Sequence, residues 1–121
     1  MPSDLILVVD DSPTELRLVT AALQGKGYRV ITAADGEEAI AAVGREHPRL
    51  VVLDVVMPKK NGYQVCRHLK TDPATQHVKV LMLTTKGQDA DKFWGMKQGA
   101  DAYLTKPFAG ADLLAQVARL Y

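Results

Sequence analysis

Short apolar runs alternate along the chain with longer segments of helical period. Leu5 to Val9 is an unbroken apolar run stopped by Asp10, and Leu50 to Leu53 is another stopped by Asp54. Val78 to Leu83 is mostly apolar and gives way to Thr84-Thr85. Tyr28 to Ala33 and Ala102 to Thr105 complete a set of five candidate strands. Runs that are continuous rather than alternating predict strands buried on both faces. Between them lie helical signals. Ser12-Pro13-Thr14-Glu15 offers an N-cap, a proline suited to the first helical position and the acid of a capping box. Leu16, Val19 and Leu23 then keep helical spacing until Gly25 to Gly27. Asp35 can cap a second helix with an inner stripe of Ala39, Ile40 and Val43, and Pro48 lies beyond its end. Pro58, Asn61 and Gly62 read as turn formers. A third helix has Val65, Cys66 and Leu69 inward, and a loop around Pro73 follows it. A fourth helix is expected from about Gln88 to Lys97, closed by Gly99, and a last one carries Leu113, Leu114, Val117 and Leu120.

The order is β-α repeated five times. Such an order predicts an α/β fold with a parallel sheet covered by helices on both faces and joined by right-handed crossovers. There is no linker, low-complexity tract, repeat or charge block, so residues 1–121 read as one domain. Area scaling for 13.2 kDa gives about 6,400 Å² of folded surface against about 19,000 Å² unfolded, enough burial for a core without staples.

Composition narrows the function classes. Fifteen basic residues against 14 acidic give a net charge of +1, which offers neither a nucleic-acid footprint nor a polybasic membrane patch. The single cysteine, Cys66, cannot form an internal disulfide and fits a reducing compartment. No apolar run approaches the ~18 residues of a spanning helix, and Met-Pro-Ser-Asp lacks the positive start of a signal peptide. A cytoplasmic protein without membrane insertion is expected.

The polar residues fall where an open α/β sheet binds ligands, beyond the carboxyl ends of its strands. Asp10-Asp11 follow the first strand, Asp54 the third, Thr84-Thr85 the fourth and Lys106 the fifth. Three carboxylates at one rim repel each other and titrate together. A hard divalent cation relieves that repulsion, and Mg²⁺ suits one or two carboxylates with waters and phosphate oxygens. A carboxylate beside such an ion and a lysine is a reasonable phosphoryl acceptor, with Asp54 attacking in line. Asp35 is an ordinary helix cap, and Lys106 alone would be a surface lysine. The coincidence of all these groups at one rim is what points to chemistry. Other conspicuous residues are bland. Cys66 and Trp94 read as core, Lys59-Lys60 as a solvent-facing loop tip, and His47, His68 and His77 share no metal-ligand spacing.

The motifs Val8-Val9-Asp10-Asp11-Ser12, Leu53-Asp54-Val55-Val56-Met57-Pro58 with Asn61-Gly62, Leu83-Thr84-Thr85 and Tyr103-Leu104-Thr105-Lys106-Pro107-Phe108 span nearly the whole chain. In these the sequence resembles the receiver domain of two-component response regulators of the stand-alone chemotaxis type. Thr84-Thr85-Lys86, Asp91-Lys92-Phe93-Trp94-Gly95 and Gln98-Gly99-Ala100 further resemble twitching-motility regulators of type IV pilus systems. The resemblance implies a doubly wound, flavodoxin-like (βα)5 fold with strand order 2-1-3-4-5. It implies Asp54 as phosphoacceptor, and Mg²⁺ on Asp11, Asp54 and the main-chain carbonyl of Val56, with Asp10 acting through water. It further implies Lys106 on the phosphoryl group, Thr84 bonding a phosphoryl oxygen, Tyr103 turning inward when Thr84 moves, and a cis Lys106-Pro107 bond. Val56 and Lys86 would border the hydrolytic water, and an apolar Val56 implies slow self-dephosphorylation.

The implied donor is a chemotaxis-type histidine kinase. The implied output is a protein target on the face of helix four, strand five and helix five. The chain is then a signalling protein, catalysing only its own phosphorylation and dephosphorylation. With Tyr121 at or just after the last helix, no DNA-binding or enzymatic output domain is expected unless the receiver is a piece of a longer regulator. A haloacid-dehalogenase-type phosphatase needs Asp-x-Asp, and position 12 is Ser. A flavodoxin-like FMN carrier would place its phosphate against Asp10 and Asp11, which repel it.

Overall fold

A computed structural model describes residues 4–55, 61–85 and 99–121. Nine elements occupy them: β1 (Leu5–Val9), α1 (Pro13–Gln24), β2 (Arg29–Ala33), α2 (Gly36–Glu46), β3 (Leu50–Asp54), α3 (Gly62–Thr71), β4 (Lys79–Thr85), β5 (Ala102–Lys106) and α4 (Gly110–Leu120). The expected helix from Gln88 to Lys97 lies outside the described residues, as do Lys59-Lys60 and Trp94. The strands form one parallel sheet in the order β2-β1-β3-β4-β5. No described helix is long and apolar enough to cross a membrane.

Alternation along the strands splits the core in two. Leu7, Val9, Val51, Leu53, Val80 and Met82 face α2 and α3. Ile6, Val8, Leu50, Val52, Leu81 and Leu83 face α1 and α4. Every residue of β1 and β3 is buried, because both faces of the central strands are covered. At one edge β2 leaves Arg29 and Thr32 exposed, as an edge strand does. Cys66 packs fully buried with Val65 and Leu69. Burial, and secondarily Asp101, push its thiol up to about 11 against the opposing pull of Lys70.

Among the described residues the helix signals hold, with one correction at α1. Ser12 Oγ accepts from the Glu15 N–H at 3.3 Å, but the reciprocal half of the capping box is replaced. The Ser12 N–H donates to Asp10 Oδ1 at 2.9 Å, so Glu15 has no capping role left on that group. Asp35 caps α2 as expected, accepting from the Glu38 N–H at 2.8 Å. A full capping box lies instead at α3, between Asn61 and Gln64. The Asn-x-x-Gln spacing carries that signal, and reading Asn61-Gly62 only as a turn misses it.

The strands also run further than their apolar runs. Asp54 pairs with Leu83, Thr84 with Thr105 and Thr85 with Lys106 inside the ladder. Backbone pairing persists for as long as a neighbouring strand supplies partners, whatever the side chain. The polar residues therefore sit on regular, hydrogen-bonded backbone.

Candidate phosphoryl-acceptor site

Four elements converge at the carboxyl rim of the sheet. The turn after β1 carries Asp10 and Asp11, and the last positions of β3, β4 and β5 carry Asp54, Thr84-Thr85 and Lys106. Carboxylate oxygens of Asp10, Asp11 and Asp54 all lie within 4.8 Å of one another. Asp10 and Asp54 are buried and Asp11 is exposed. Lys106 Nζ donates to Asp10 Oδ2 and to Asp54 Oδ1, each at 3.2 Å. Asp54 stands 52 positions before Lys106, and Asp10 stands 96 before it.

Strand order makes this meeting possible. β3 lies between β1 and β4, so Asp54 has Asp10 on one side and the β4–β5 edge on the other. By alternation Asp54 and Lys106 share the side of the sheet that carries α1 and α4. The second acid of the β1 turn, Asp11, closes the cluster from the solvent side.

The charge balance is unfavourable, with three acids against one lysine. Burial and the neighbouring Asp10 push the Asp54 carboxyl up from 3.8 to about 6, with a smaller push from Asp11, against the pull of Lys106. Burial alone would lower the Lys106 ammonium. Asp54 and Asp10 outweigh it, and its pKa is raised. An uncompensated cluster of hard oxygen donors is a fitting place for a divalent cation. The main-chain carbonyl of Val56, expected as a further ligand, lies outside the described residues, as does Lys86.

Thr84 and Tyr103 belong to the opposite side. Thr84 is buried and its hydroxyl makes no hydrogen bond among the described residues. An unmatched buried hydroxyl costs roughly 1–3 kcal/mol, so a group that could satisfy it is worth seeking. Tyr103 is half-buried against the core shared with α2 and α3, in register with Met82. Thr84 pairs with Thr105, so Tyr103 sits one pleat back on the same face. The Lys106-Pro107 bond is cis.

The family model for the response regulator receiver domain matches residues 6–118. Protein PilH of Pseudomonas aeruginosa is 45% identical over 112 residues, covering 93% of this chain and 93% of PilH. The structure also resembles that of a response regulator from Chloroflexus aurantiacus, with a TM-score of 0.94 at 35% identity over 99% of this chain and 98% of that one. The chemotaxis protein CheY4 of Vibrio cholerae gives 0.91 at 33% identity, covering both chains fully. Other relatives are longer. The chain spans about half of two ycf27 transcriptional regulators, 47% and 48%, and 25% of the response regulator PleD of Caulobacter vibrioides. A match over nearly the whole chain, on a fold that gathers three aspartates and a lysine at one rim, shows that this chain belongs to the response regulator receiver domain family.

Proposed function

We propose that this chain is a phosphorylation-controlled receiver that takes a phosphoryl group from a histidine kinase onto Asp54. The observation that carries the reading is the junction at Lys106, whose ammonium bridges Asp10 and Asp54 at 3.2 Å beside a third carboxylate. With its carboxyl at about 6, Asp54 is mostly ionised at pH 7 and available as the nucleophile. One of its oxygens forms the bond to phosphorus as the bond from phosphorus to the donor breaks. Lys106 offsets negative charge on the transferred group. Asp10, Asp11 and Asp54 would hold Mg²⁺, together with the carbonyl of Val56, and the ion would supply charge neutralisation for the phosphoryl oxygens. The buried hydroxyl of Thr84 would gain a partner in a phosphoryl oxygen, and Tyr103, on the same face, would move with it.

The signal would leave as a change of protein affinity on the face containing β5 and α4, in the cytoplasm, without direct nucleic-acid contact. The likeness to PilH and to the chemotaxis protein CheY4 supports a place in chemotaxis or twitching motility. Incubation with Mg²⁺ and acetyl phosphate, followed by intact-mass spectrometry, tests the acceptor. Wild type should gain one phosphoryl group and Asp54→Asn none, and equal labelling of both would remove the assignment.

A second reading is that residues 1–121 are the receiver of a longer regulator, supported by the coverage of the ycf27 regulators and PleD. Peptides extending past Tyr121 in a digest of the native protein would establish it. A digest ending at Tyr121 would favour the single-domain reading.

A further inference from the structure

Gly62 is the first residue of α3, and a glycine is a poor helix former. Its backbone is helical, so no left-handed conformation requires it there. Space does. A Cβ at position 62 would lie 2.5 Å from the main-chain oxygen of Asp54, 2.8 Å from Cα of Val55 and 3.0 Å from Cε of Met82. The first two are backbone atoms and cannot swing aside as a flexible side chain can. Gly110 holds the same first-turn position in α4 and has nothing within 4 Å of such a Cβ.

The surrounding hydrogen bonds show what this close approach serves. The Val55 N–H donates to Leu83 O of β4 at 3.2 Å. The Gly62 N–H donates to Val55 O at 2.8 Å. Val55, the residue next to Asp54, is thus held by β4 through its N–H and by the start of α3 through its carbonyl. The Asn61–Gln64 capping box fixes where α3 starts. We propose that Gly62 is a positioning residue for the phosphoryl acceptor: its missing side chain lets the first turn of α3 clamp the Asp54–Val55 backbone and so sets the Asp54 carboxylate against Lys106. The inference rests on the reading of Asp54 as the acceptor.

A methyl group at 62 must push the Asp54–Val55 backbone away from α3. Catalysis by positioning is sensitive to this, and a displacement of about 1 Å can cost on the order of a hundredfold. The test compares wild type, Asp54→Asn, Gly62→Ala, Asn61→Ala and Val117→Ala. Val117 is a buried core residue of α4, so its truncation lowers stability away from the site. Labelling by acetyl phosphate with saturating Mg²⁺ is followed by intact mass across donor concentrations, beside a urea denaturation curve for each variant.

Gly62→Ala should lose about tenfold or more in maximal rate with its half-saturating donor concentration unchanged. Asn61→Ala, which loosens the clamp but keeps the glycine, should lose a few-fold, and it decides the matter alone if Gly62→Ala does not fold. Val117→Ala should label at the wild-type maximal rate despite its lower stability. A wild-type maximal rate in folded Gly62→Ala, or rates that track stability in all three variants, would overturn the positioning role while leaving Asp54 as acceptor. An unlabelled wild type, or equal labelling of Asp54→Asn, would overturn the acceptor and the positioning role together.

Discussion

Two lysine–aspartate clusters stand at opposite ends of the same sheet and are built for opposite ends. At the amino end, Lys70 Nζ lies 2.8 Å from Asp101 Oδ2 and 2.7 Å from the carbonyl oxygen of Val78. The same Asp101 oxygen accepts the Val80 N–H at 2.8 Å, and the Asp101 N–H donates to Val80 O at 2.9 Å. One acid meets one half-buried base, with the more exposed Lys79 at its outer oxygen, and both members of the inner pair add hydrogen bonds to backbone. At the carboxyl end, one lysine faces three acids, and a buried threonine hydroxyl lacks a partner among the described residues. Residue type does not separate the two clusters. Charge balance and hydrogen-bond satisfaction do. The first pins α3 to the starts of β4 and β5, and the second retains a deficit that a cation and a phosphoryl group can fill.

Breaking the satisfied cluster should have the largest effect. Asp101→Ala takes the counter-charge from the Lys70 ammonium, which keeps only backbone carbonyls, and leaves the Val80 N–H without its acceptor; both groups are largely removed from solvent. A loss of about 3 kcal/mol is expected, read from urea denaturation. A loss below about 1 kcal/mol would mean that the amino-end pair is no pin.

The strained cluster should respond with the opposite sign. Asp54→Asn removes one of three crowded charges while keeping an acceptor for Lys106. In metal-free buffer at pH 7 this variant should be more stable than wild type by about 2 kcal/mol, because raising a carboxyl from 3.8 to about 6 charges the folded state against its preference. Mg²⁺ should reverse the order by stabilising wild type more than the variant. Thermal melts with and without Mg²⁺ check both statements.

The pH dependence sharpens this contrast. Asp54 binds its proton more tightly folded than unfolded, so its neutral form contributes stability that is full below 3.8 and lost as pH rises through about 6. The stability gap between Asp54→Asn and wild type should therefore close as pH falls from about 6 to about 4, without Mg²⁺. Paired denaturation curves across that window read it, since carboxylates remote from the cluster cancel between the two proteins. A gap that stays constant would show that Asp54 is not strained by charge.

The smallest effect belongs to the outer arm of the amino-end cluster. Lys79 Nζ is 3.9 Å from Asp101 Oδ1 and its side chain is half exposed. Lys79→Ala should cost less than about 0.5 kcal/mol, against the much larger cost at Asp101. A cost equal to that of Asp101→Ala would move the pin from Lys70 to Lys79.

Local pattern alone determined much of this protein. The apolar runs 5–9 and 50–53 read as strands covered on both faces, because they are continuous and too short for a buried helix. Ser12, Asp35 and the glycines near residue 25 mark helix ends because caps and breakers act over a few residues. Asp10, Asp11, Asp54, Thr84 and Lys106 were legible as one candidate site, since a parallel sheet gathers the ends of its strands at one rim. Tertiary structure decided the rest. Lys106 reaches Asp10 and Asp54 only because β3 sits beside β1 and β4 beside β3, and no local period encodes that order. Asp10 takes the Ser12 N–H from Glu15 because Asp10 is buried at the end of the central β1 strand. Gly62 looks like a turn residue until α3 is laid against the Asp54 backbone, and Lys70 and Asp101 look like surface charges until β5 is docked beside β4. Each of these depends on distances between segments far apart in sequence, and those distances exist only once the sheet has closed its register.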